Sequence, residues 1–412
     1  MKDIQLKVGL AKLFWAWGYV PQLEVKIIHS AALSSKQYEL TDVDVYGIRA
    51  TSDFSMQRLL GDCTTGKVSP ISRAFWLKGV MDFLGAQRGY LLVRPMKPIT
   101  EDHKLSAYSM GITLMSEQEF VLFQSKLLPP NFPQEMRLFD QESWRYYEGN
   151  VSNIKSLERL NDYRKYRFWI DPPSRALRHS LLEIKTVREE IDPRQKLQKA
   201  LVLDMTTLFS IALLDMLCRL FHLYLIPEHK ADIDHYLKTY VYGGREYYDH
   251  VNRLARLIQQ YRQQELPMFA DRAGGPESIS DLSLPEWDRF LQLFRTILDH
   301  PSQFRNSIRF LRFVLFERLL YDNQAVSIGQ AIPDITTHTI KLTIDVVDYF
   351  LRACGLHDKF WTPISDLILP LLLQVQGEEP EGKPQLVPKI KTVAAARTSN
   401  EEKPGAKTEE AR

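Results

Sequence analysis

The alternation of hydrophobic and polar residues changes character near Pro98. Residues 2–17 have apolar positions at helical spacing, which predicts an opening helix. A period of two over 38–48 predicts a strand, and the segments 23–28, 58–63 and 89–93 are predicted to be strands as well. Between the third and fourth strands, Ser69 and Pro70 suit the start of a helix and Gly85 suits its end. The N-terminal pattern is therefore helix, strand, strand, strand, helix, strand.

From residue 99 onward the pattern is mainly helical. Ser116 and Glu119 have the spacing of a capping box and predict a helix that runs towards Leu128. The longest apolar run, 200–226, is interrupted by titratable residues: Asp204, Asp215, Arg219 and His222. A bilayer would penalise these side chains heavily, whereas the central helix of a globular bundle tolerates them in pairs or at its ends. We therefore expect a buried helix and no membrane association.

These patterns divide the chain into four predicted segments. They are an α/β domain at 1–98, a mixed but mostly helical connection at 99–191, a helical domain at 192–376 and a tail at 377–412. The tail is rich in Glu, Pro, Lys, Gly and Ala. It is predicted to be disordered because it cannot bury enough apolar surface to offset its ordering entropy. The predicted fold class is thus an α/β domain, with a mixed sheet flanked by helices, followed by a mainly α-helical domain.

Charge and cysteine content narrow the functional classes. The chain of 412 residues has a net charge of only +2, so any nucleic-acid-binding surface has to be local. The three cysteines, Cys63, Cys218 and Cys354, have neither metal-ligand spacing nor the even number of a disulfide framework. A reducing compartment is the simpler expectation. Because the N-terminus has no signal-peptide pattern, a cytoplasmic location is predicted.

Acidic residues occupy two strands of the N-terminal domain. Asp44 lies in the second predicted strand, Asp62 ends the third, and the helix that starts at Pro70 follows. This layout resembles the core of the PD-(D/E)-x-K nuclease superfamily, the restriction-endonuclease-like fold. The resemblance implies a nuclease that uses Mg²⁺ or Mn²⁺, with Asp44 and Asp62 as catalytic metal ligands and the backbone carbonyl of Cys63 as a third ligand. Such chemistry needs carboxylates at a fixed separation, because the ion has to touch both the scissile phosphate and the attacking water.

The chain departs from that family at one position. The family's lysine, expected two residues after the second acid, is replaced by Thr64. Lys67 follows on a loop where Gly66 permits a tight turn, so its long side chain is predicted to take the catalytic role of the missing lysine. Lys78 on the next helix and Lys26 on the first strand are the alternatives.

Other residues near these acids have less specific patterns. Asp42 is either a further ligand or an edge charge, and Glu39 is expected to be a solvated edge charge. Gly61 and Gly66 have the four-residue gap of a phosphate loop, but Val68 stands where a magnesium-binding hydroxyl belongs. A phosphate loop is therefore disfavoured.

A local nucleic-acid surface has two candidates. Residues 137–199 mix cations with aromatics, as in the run from Tyr163 to Trp169. Cations neutralise phosphates and rings stack on bases, but core aromatics with solvated flanking cations are the favoured interpretation. The second candidate is one helical face that carries Arg305, Arg309 and Arg312. It is either a phosphate-tracking stripe or an ordinary solvated face.

These observations leave three functional hypotheses. The first is a metal-dependent nuclease-like protein in defence, repair or recombination that acts on nucleic acid, with DNA favoured over RNA. The second is a catalytically inactive nuclease-like scaffold or nucleic-acid-binding subunit, which Thr64 favours. The third is a helical interaction protein, and in each case the helical domain is a candidate surface for protein partners. Convergence of the Asp44 and Asp62 carboxylates with a lysine amine would favour the first.

Overall fold

The computed structural model describes residues 4–30, 37–65, 69–94, 99–222, 230–265 and 283–378. Five strands form one mixed sheet in chain order: β1 (Val20–Ser30), β2 (Gln37–Ala50), β3 (Met56–Thr65), β4 (Arg88–Arg94) and β5 (Ile112–Ser116). The first three strands are antiparallel neighbours, and β4 and β5 continue the sheet in parallel with β3. The four predicted strands are confirmed. β5 lies beyond residue 98, so the sheet extends past the predicted end of the α/β domain.

Helices cover both faces of the sheet: α1 (Ile4–Ala16), α2 (Pro70–Leu84), α3 (Glu101–Ser109) and α4 (Glu117–Leu127). α1 packs so closely that only glycine fits beneath it at Gly47, where a Cβ would lie 2.8 Å from the Phe14 ring. α2 packs on the opposite face and ends as predicted at Gly85, which has a left-handed φ of 64°. The predicted capping box at the start of α4 is confirmed, since Ser116 and Glu119 accept each other's backbone N–H.

The rest of the described chain is mainly helical, as predicted. Its α-helices are α5 (Gln141–Ser152), α6 (Glu158–Asp162), α7 (Phe168–Ile170), α8 (Pro173–Val187), α9 (Lys196–Phe221), α10 (Lys230–Val241), α11 (Arg245–Glu265), α12 (Trp287–Asp299), α13 (Pro301–Phe313), α14 (Ile328–Ala331), α15 (Thr337–Ala353) and α16 (His357–Glu378). Short 3₁₀ turns and the π-helical turns Tyr163–Arg167 and Val314–Leu320 connect them. Of the predicted tail only 377 and 378 are described, at the end of α16, and the remainder lies outside the described residues.

α9 runs through the middle of the helical region. Among the described helices it alone is long and apolar enough to cross a membrane, and its apolar window is entirely buried inside the protein. Its Asp204 binds Arg312 at 2.6 Å, Arg164 at 3.1 Å and the hydroxyl of Tyr147 at 2.9 Å. The predicted buried helix, with its acid paired, is therefore confirmed as far as residue 222, and 223–226 lie outside the described residues.

The sheet and the helical region share one continuous apolar core. Trp15 of α1 donates to the carbonyl of Ala331 at 2.8 Å, and Arg312 of α13 donates to Gln22 of β1 at 2.5 Å. α1 is therefore held between the sheet and the helical region. This packing fixes the position of the side chains that α1 sends towards β1 and β2.

Candidate active site

Asp44 and Asp62 lie on adjacent strands, as predicted. The ladder between β2 and β3 ends at the pair Val45 and Gly61, so the two acids are the next residues along each strand. The strands separate there, and the Asp44 Oδ2 accepts the backbone N–H of Cys63 at 2.6 Å. The Asp44 carboxylate therefore caps the point where β3 leaves its neighbour. Both acids are buried, with 7% of Asp44 and 2% of Asp62 exposed.

A lysine reaches this point from α1. The Lys7 Nζ lies 2.6 Å from Asp44 Oδ1 and also pairs with Glu24 of β1. Only 5% of Lys7 is exposed, so these two carboxylates compensate a charge that would otherwise be buried without a partner. Lys7 was not anticipated from the sequence, because it stands in an apolar helix far from Asp44 along the chain. A lysine within an apolar helical stretch was the one available signal.

Glu24 has an uncommon backbone conformation. Its φ is 56°, in the left-handed region. In the pairing of β1 with β2, Leu23 lies opposite Val45 and Val25 opposite Val43, and Glu24 between them is left out of the ladder. A residue with a Cβ pays about 1–2 kcal/mol for this conformation, and such strain clusters at functional sites. Glu24 lies next to Asp42 and Asp44, and oxygens of the three carboxylates lie within 4.8 Å of one another. Carboxylate oxygens are the ligands that Mg²⁺ and Mn²⁺ prefer, so these three fit a divalent cation.

Asp62 has a different partner. Arg73 in the first turns of α2 binds it with two hydrogen bonds, from Nε to Oδ2 at 2.7 Å and from Nη2 to Oδ1 at 2.6 Å. The Arg73 guanidinium also lies over the Trp76 ring, 3.6 Å from its centroid. This two-point bond neutralises Asp62 and holds its carboxylate against α2. Arg73 was not anticipated from the sequence, although its place just after the second acid was a signal.

Burial and charge set the protonation of the pair between α1 and β2. Burial, with a smaller contribution from the charge of Asp62, raises the pKa of Asp44 to about 6 against the opposing effects of Lys7 and the Cys63 N–H. Burial acts to lower the pKa of Lys7, but the ion pairs with Asp44 and Glu24 outweigh it and raise that pKa overall. Lys7 is therefore a permanent cation near neutral pH, whereas Asp44 changes charge just below it.

The remaining predicted site residues are distributed differently. Lys67 lies outside the described residues. Lys78 pairs with Asp82 at 2.6 Å on the exposed side of α2, and Lys26 pairs with Glu39 at 2.8 Å. Neither alternative lysine forms an ion pair with Asp44 or Asp62 within the described chain. Glu39 is exposed, as expected for an edge charge.

Thr64 and Cys63 flank the acids on β3. Thr64 is half-buried at the position of the family's lysine and lies on the same side of the strand as Asp62. Cys63 brings its peptide to the site through the N–H that Asp44 accepts. Its carbonyl as a metal ligand remains a prediction.

Neither of the two candidate nucleic-acid surfaces, residues 137–199 and the arginine face of 305–312, forms a continuous exposed row of cations. Arg312 is fully buried against Asp204, and Arg309 is buried over Trp15 and donates to its carbonyl at 3.1 Å. The phosphate-tracking stripe and the solvated face are therefore both wrong, because these arginines join α13 to the core. In the other candidate, buried Tyr163 and exposed Arg167 fit the favoured interpretation of core aromatics with solvated cations, but Arg164 does not, because it is buried and pairs with Glu148 and Asp204.

The chain matches no protein-family model, no curated protein and no solved structure. Its function therefore has to be inferred from the site itself.

Proposed function

We propose that this protein is a metal-dependent nuclease-like protein that hydrolyses phosphodiester bonds in nucleic acid. The observation that supports this most directly is the contact between Lys7 and Asp44, since it brings a lysine amine to the acid that lies beside Asp62 where β2 and β3 separate. The order helix, three antiparallel strands, helix, parallel strand supports the resemblance to PD-(D/E)-x-K nucleases.

The charge at the site favours a divalent cation. Glu24, Asp42, Asp44 and Asp62 are opposed by two cations, Lys7 and Arg73, so the carboxylates exceed the cations by two charges. Mg²⁺ or Mn²⁺ held by Glu24, Asp42 and Asp44 would compensate that excess and polarise a phosphate and a water. This ligand set differs from the predicted one. Asp62 is bound to Arg73, and in this proposal Glu24 and Asp42 replace it as the carboxylates beside Asp44.

The amine of Lys7 has a defined role in this proposal. Its raised pKa keeps it protonated, so it cannot remove a proton from water. It orients the Asp44 carboxylate and stabilises negative charge that develops on the phosphate. Lys7 thus supplies the charge that Thr64 cannot supply.

A second candidate function is a catalytically inactive nucleic-acid-binding module. The observation that favours it is the two-point bond of Arg73 to Asp62, which leaves the second acid neutralised. In such a site the second carboxylate is held by Arg73 and does not bind a metal, and Thr64 stands in place of the family's lysine. The two functions differ in whether cleavage occurs, not in the fold.

A cleavage assay tests the first function against the second. Single-stranded and double-stranded DNA and RNA are incubated with the wild type in Mg²⁺ and in Mn²⁺, and with Asp44→Asn. Activity that Asp44→Asn abolishes supports the nuclease. Asp288→Asn on α12 is the matched control, since it removes an exposed carboxylate far from the site and should leave cleavage unchanged. Salt-dependent binding by an inert wild type would replace the nuclease with the binding module.

A further inference from the structure

A cavity of about 380 Å³ lies on the sheet face that carries the acids. It opens between β2 and β3 on one side and the end of α2 and the segment from α7 to α9 on the other. Its lining includes Tyr46, Ile48, Arg58, Trp169, Asp171 and Ala212. Its volume is within the range of small-molecule sites, which are concave and mostly apolar with a few fixed polar groups.

The cavity is next to the candidate active site along β2. Tyr46 follows Asp44 by two residues, so both side chains leave the same face of the strand, about 7 Å apart. α2 connects the same two places, because Arg73 near its start binds Asp62 and Gly85 at its end lines the cavity. A nucleotide with a phosphate near Asp44 could therefore extend along this face into the cavity.

One wall of the cavity is aromatic and fixed in position. The Trp169 ring meets Tyr46 edge to face, with centroids 5.2 Å apart, and its Nε1 donates to the carbonyl of Arg164 at 2.9 Å. Trp169 is half-buried and lines the cavity. Aromatic rings of this kind stack on nucleobases with little regard to sequence.

The polar groups of the cavity have opposite hydrogen-bonding character. Arg58 is held by Asp215 at 3.1 Å, and Asp215 is itself fixed by Arg219 at 2.5 Å. A guanidinium has five N–H donors, so Arg58 keeps donor capacity beyond this bond. Asp171, which His179 holds at 2.9 Å, supplies an acceptor. A planar ring whose edge carries both an acceptor and a donor matches this pair, and nucleobases have such edges.

We propose that this cavity binds a nucleobase, stacked against Trp169 and hydrogen-bonded to Arg58 and Asp171. The base comes either from a nucleic acid strand held at the Asp44 site or from a free nucleotide. The first source deepens the proposed nuclease function and rests on it, whereas the second does not.

Binding in EDTA tests this without a contribution from the metal site. The probes are the four free mononucleotides, a single-stranded octanucleotide and an octanucleotide of the same backbone charge that lacks its bases. We expect saturable binding of the normal octanucleotide that is roughly tenfold tighter than that of the abasic one. Competition between a mononucleotide and the octanucleotide then identifies the source of the base.

Two variants address the cavity itself. Trp169→Ala should weaken base-dependent binding roughly tenfold. Ala212→Leu, which fills the cavity from α9 without removing a polar group, should weaken it as well. Trp361→Ala on α16 is the matched control for loss of a half-buried tryptophan outside the lining. Thermal unfolding checks that each variant is folded.

The outcomes separate this inference from the proposed function. Equal binding of the normal and abasic octanucleotides, or unchanged binding in a folded Ala212→Leu protein, overturns the base site even if the wild type cleaves nucleic acid. Base-dependent binding that both cavity variants weaken supports the site even if cleavage is never observed. Mononucleotide binding that an octanucleotide cannot displace assigns the cavity to a free nucleotide.

Discussion

The Lys7 ammonium and the Asp44 carboxylate lie 2.6 Å apart and join the first helix to the second strand. The contact is buried, so it is screened little by solvent or salt. It also places a permanent cation at an acid with a pKa near 6. If this ion pair is purely structural, removal of the lysine charge should affect stability alone. If it is catalytic, the same change should also lower the cleavage rate.

Lys7→Met tests that difference. Loss of the cation should lower cleavage about a hundredfold, the typical cost of one charge-stabilising donor. It should also raise the pKa of Asp44 by about one unit or more, because an opposite charge no longer favours the carboxylate. The pH–rate profile reports both effects. Lys7→Arg should keep most of the activity, and Lys78→Met on α2 should change neither quantity; equal losses in both methionine variants would contradict the role of Lys7.

The pH dependence of metal binding depends on Asp44. A proton occupies this carboxylate below about pH 6, so a divalent cation has to displace it there. Manganese should therefore raise the melting temperature clearly at about pH 8 and little at about pH 5. Differential scanning calorimetry with and without Mn²⁺ measures this. A manganese effect that is the same at both pH values, or that survives in Asp44→Asn, would exclude Asp44 as a ligand.

The same carboxylate affects stability without metal. Its folded-state pKa of about 6 is above the ordinary 3.8, so the folded protein holds the proton more tightly than the unfolded chain. This contribution to stability is fully present below about pH 3.8 and is lost as the pH rises through about 6. Urea unfolding across this window gives the free energy of unfolding at each pH. Its slope against pH should differ between the wild type and Asp44→Asn, since the variant lacks the titrating group.

The bond from Arg73 determines whether Asp62 is available as a metal ligand. Arg73→Gln should destabilise the metal-free protein by about 3 kcal/mol, because it leaves a buried carboxylate without its partner. Bound Mn²⁺ should recover part of that loss if Asp62 then becomes a ligand. Urea unfolding with and without Mn²⁺ measures both the loss of stability and its recovery by the metal. Asp62→Asn combined with Arg73→Gln is the control, and it should be more stable than Arg73→Gln alone and lack the extra manganese effect.

The sequence predicted the elements of this site better than its contacts. α2 was predicted because Pro70 and Gly85 act locally, through a fixed φ and a left-handed conformation. The Ser69 side chain, however, makes no capping hydrogen bond. Asp44 and Asp62 were identified because acidic positions on neighbouring strands are a local pattern as well, although both acids lie within β2 and β3 and not at the strand ends.

The missed residues depend on long-range packing. Lys7 and Asp44 are paired only because α1 crosses β2, which no periodicity in the sequence reports. Arg309 and Arg312 have the spacing of an exposed face, yet they are buried, where Arg312 pairs with an acid on α9 and Arg309 donates to the carbonyl of Trp15. A helical pattern identifies which residues share a face and leaves open whether that face meets water or a partner charge.

Thr64→Lys distinguishes a weakened nuclease from a binding module. The new amine would extend from the same side of β3 as Asp62, at the position of the family's lysine. If the site cleaves weakly, a second cation near the phosphate should raise the rate about tenfold or more. Gel-based cleavage assays in Mg²⁺ and Mn²⁺ measure this. A folded Thr64→Lys protein that binds more tightly but never cleaves would favour the binding module.

Glu24→Gly tests whether backbone strain is kept for ligand binding. Glycine adopts the φ of 56° without a penalty, which offsets the entropy that it adds to the unfolded chain, but it removes one of the two carboxylates that pair with the buried Lys7, so stability should fall by about 1 kcal/mol or more. Metal affinity should nevertheless fall about tenfold or more, because one of three neighbouring carboxylates is gone. Asp322→Gly, at another left-handed position with a φ of 46° and exposed to solvent, should leave metal affinity unchanged. Urea unfolding together with manganese titration separates the two effects, and a Glu24→Gly protein that binds manganese as well as the wild type would remove Glu24 from the site.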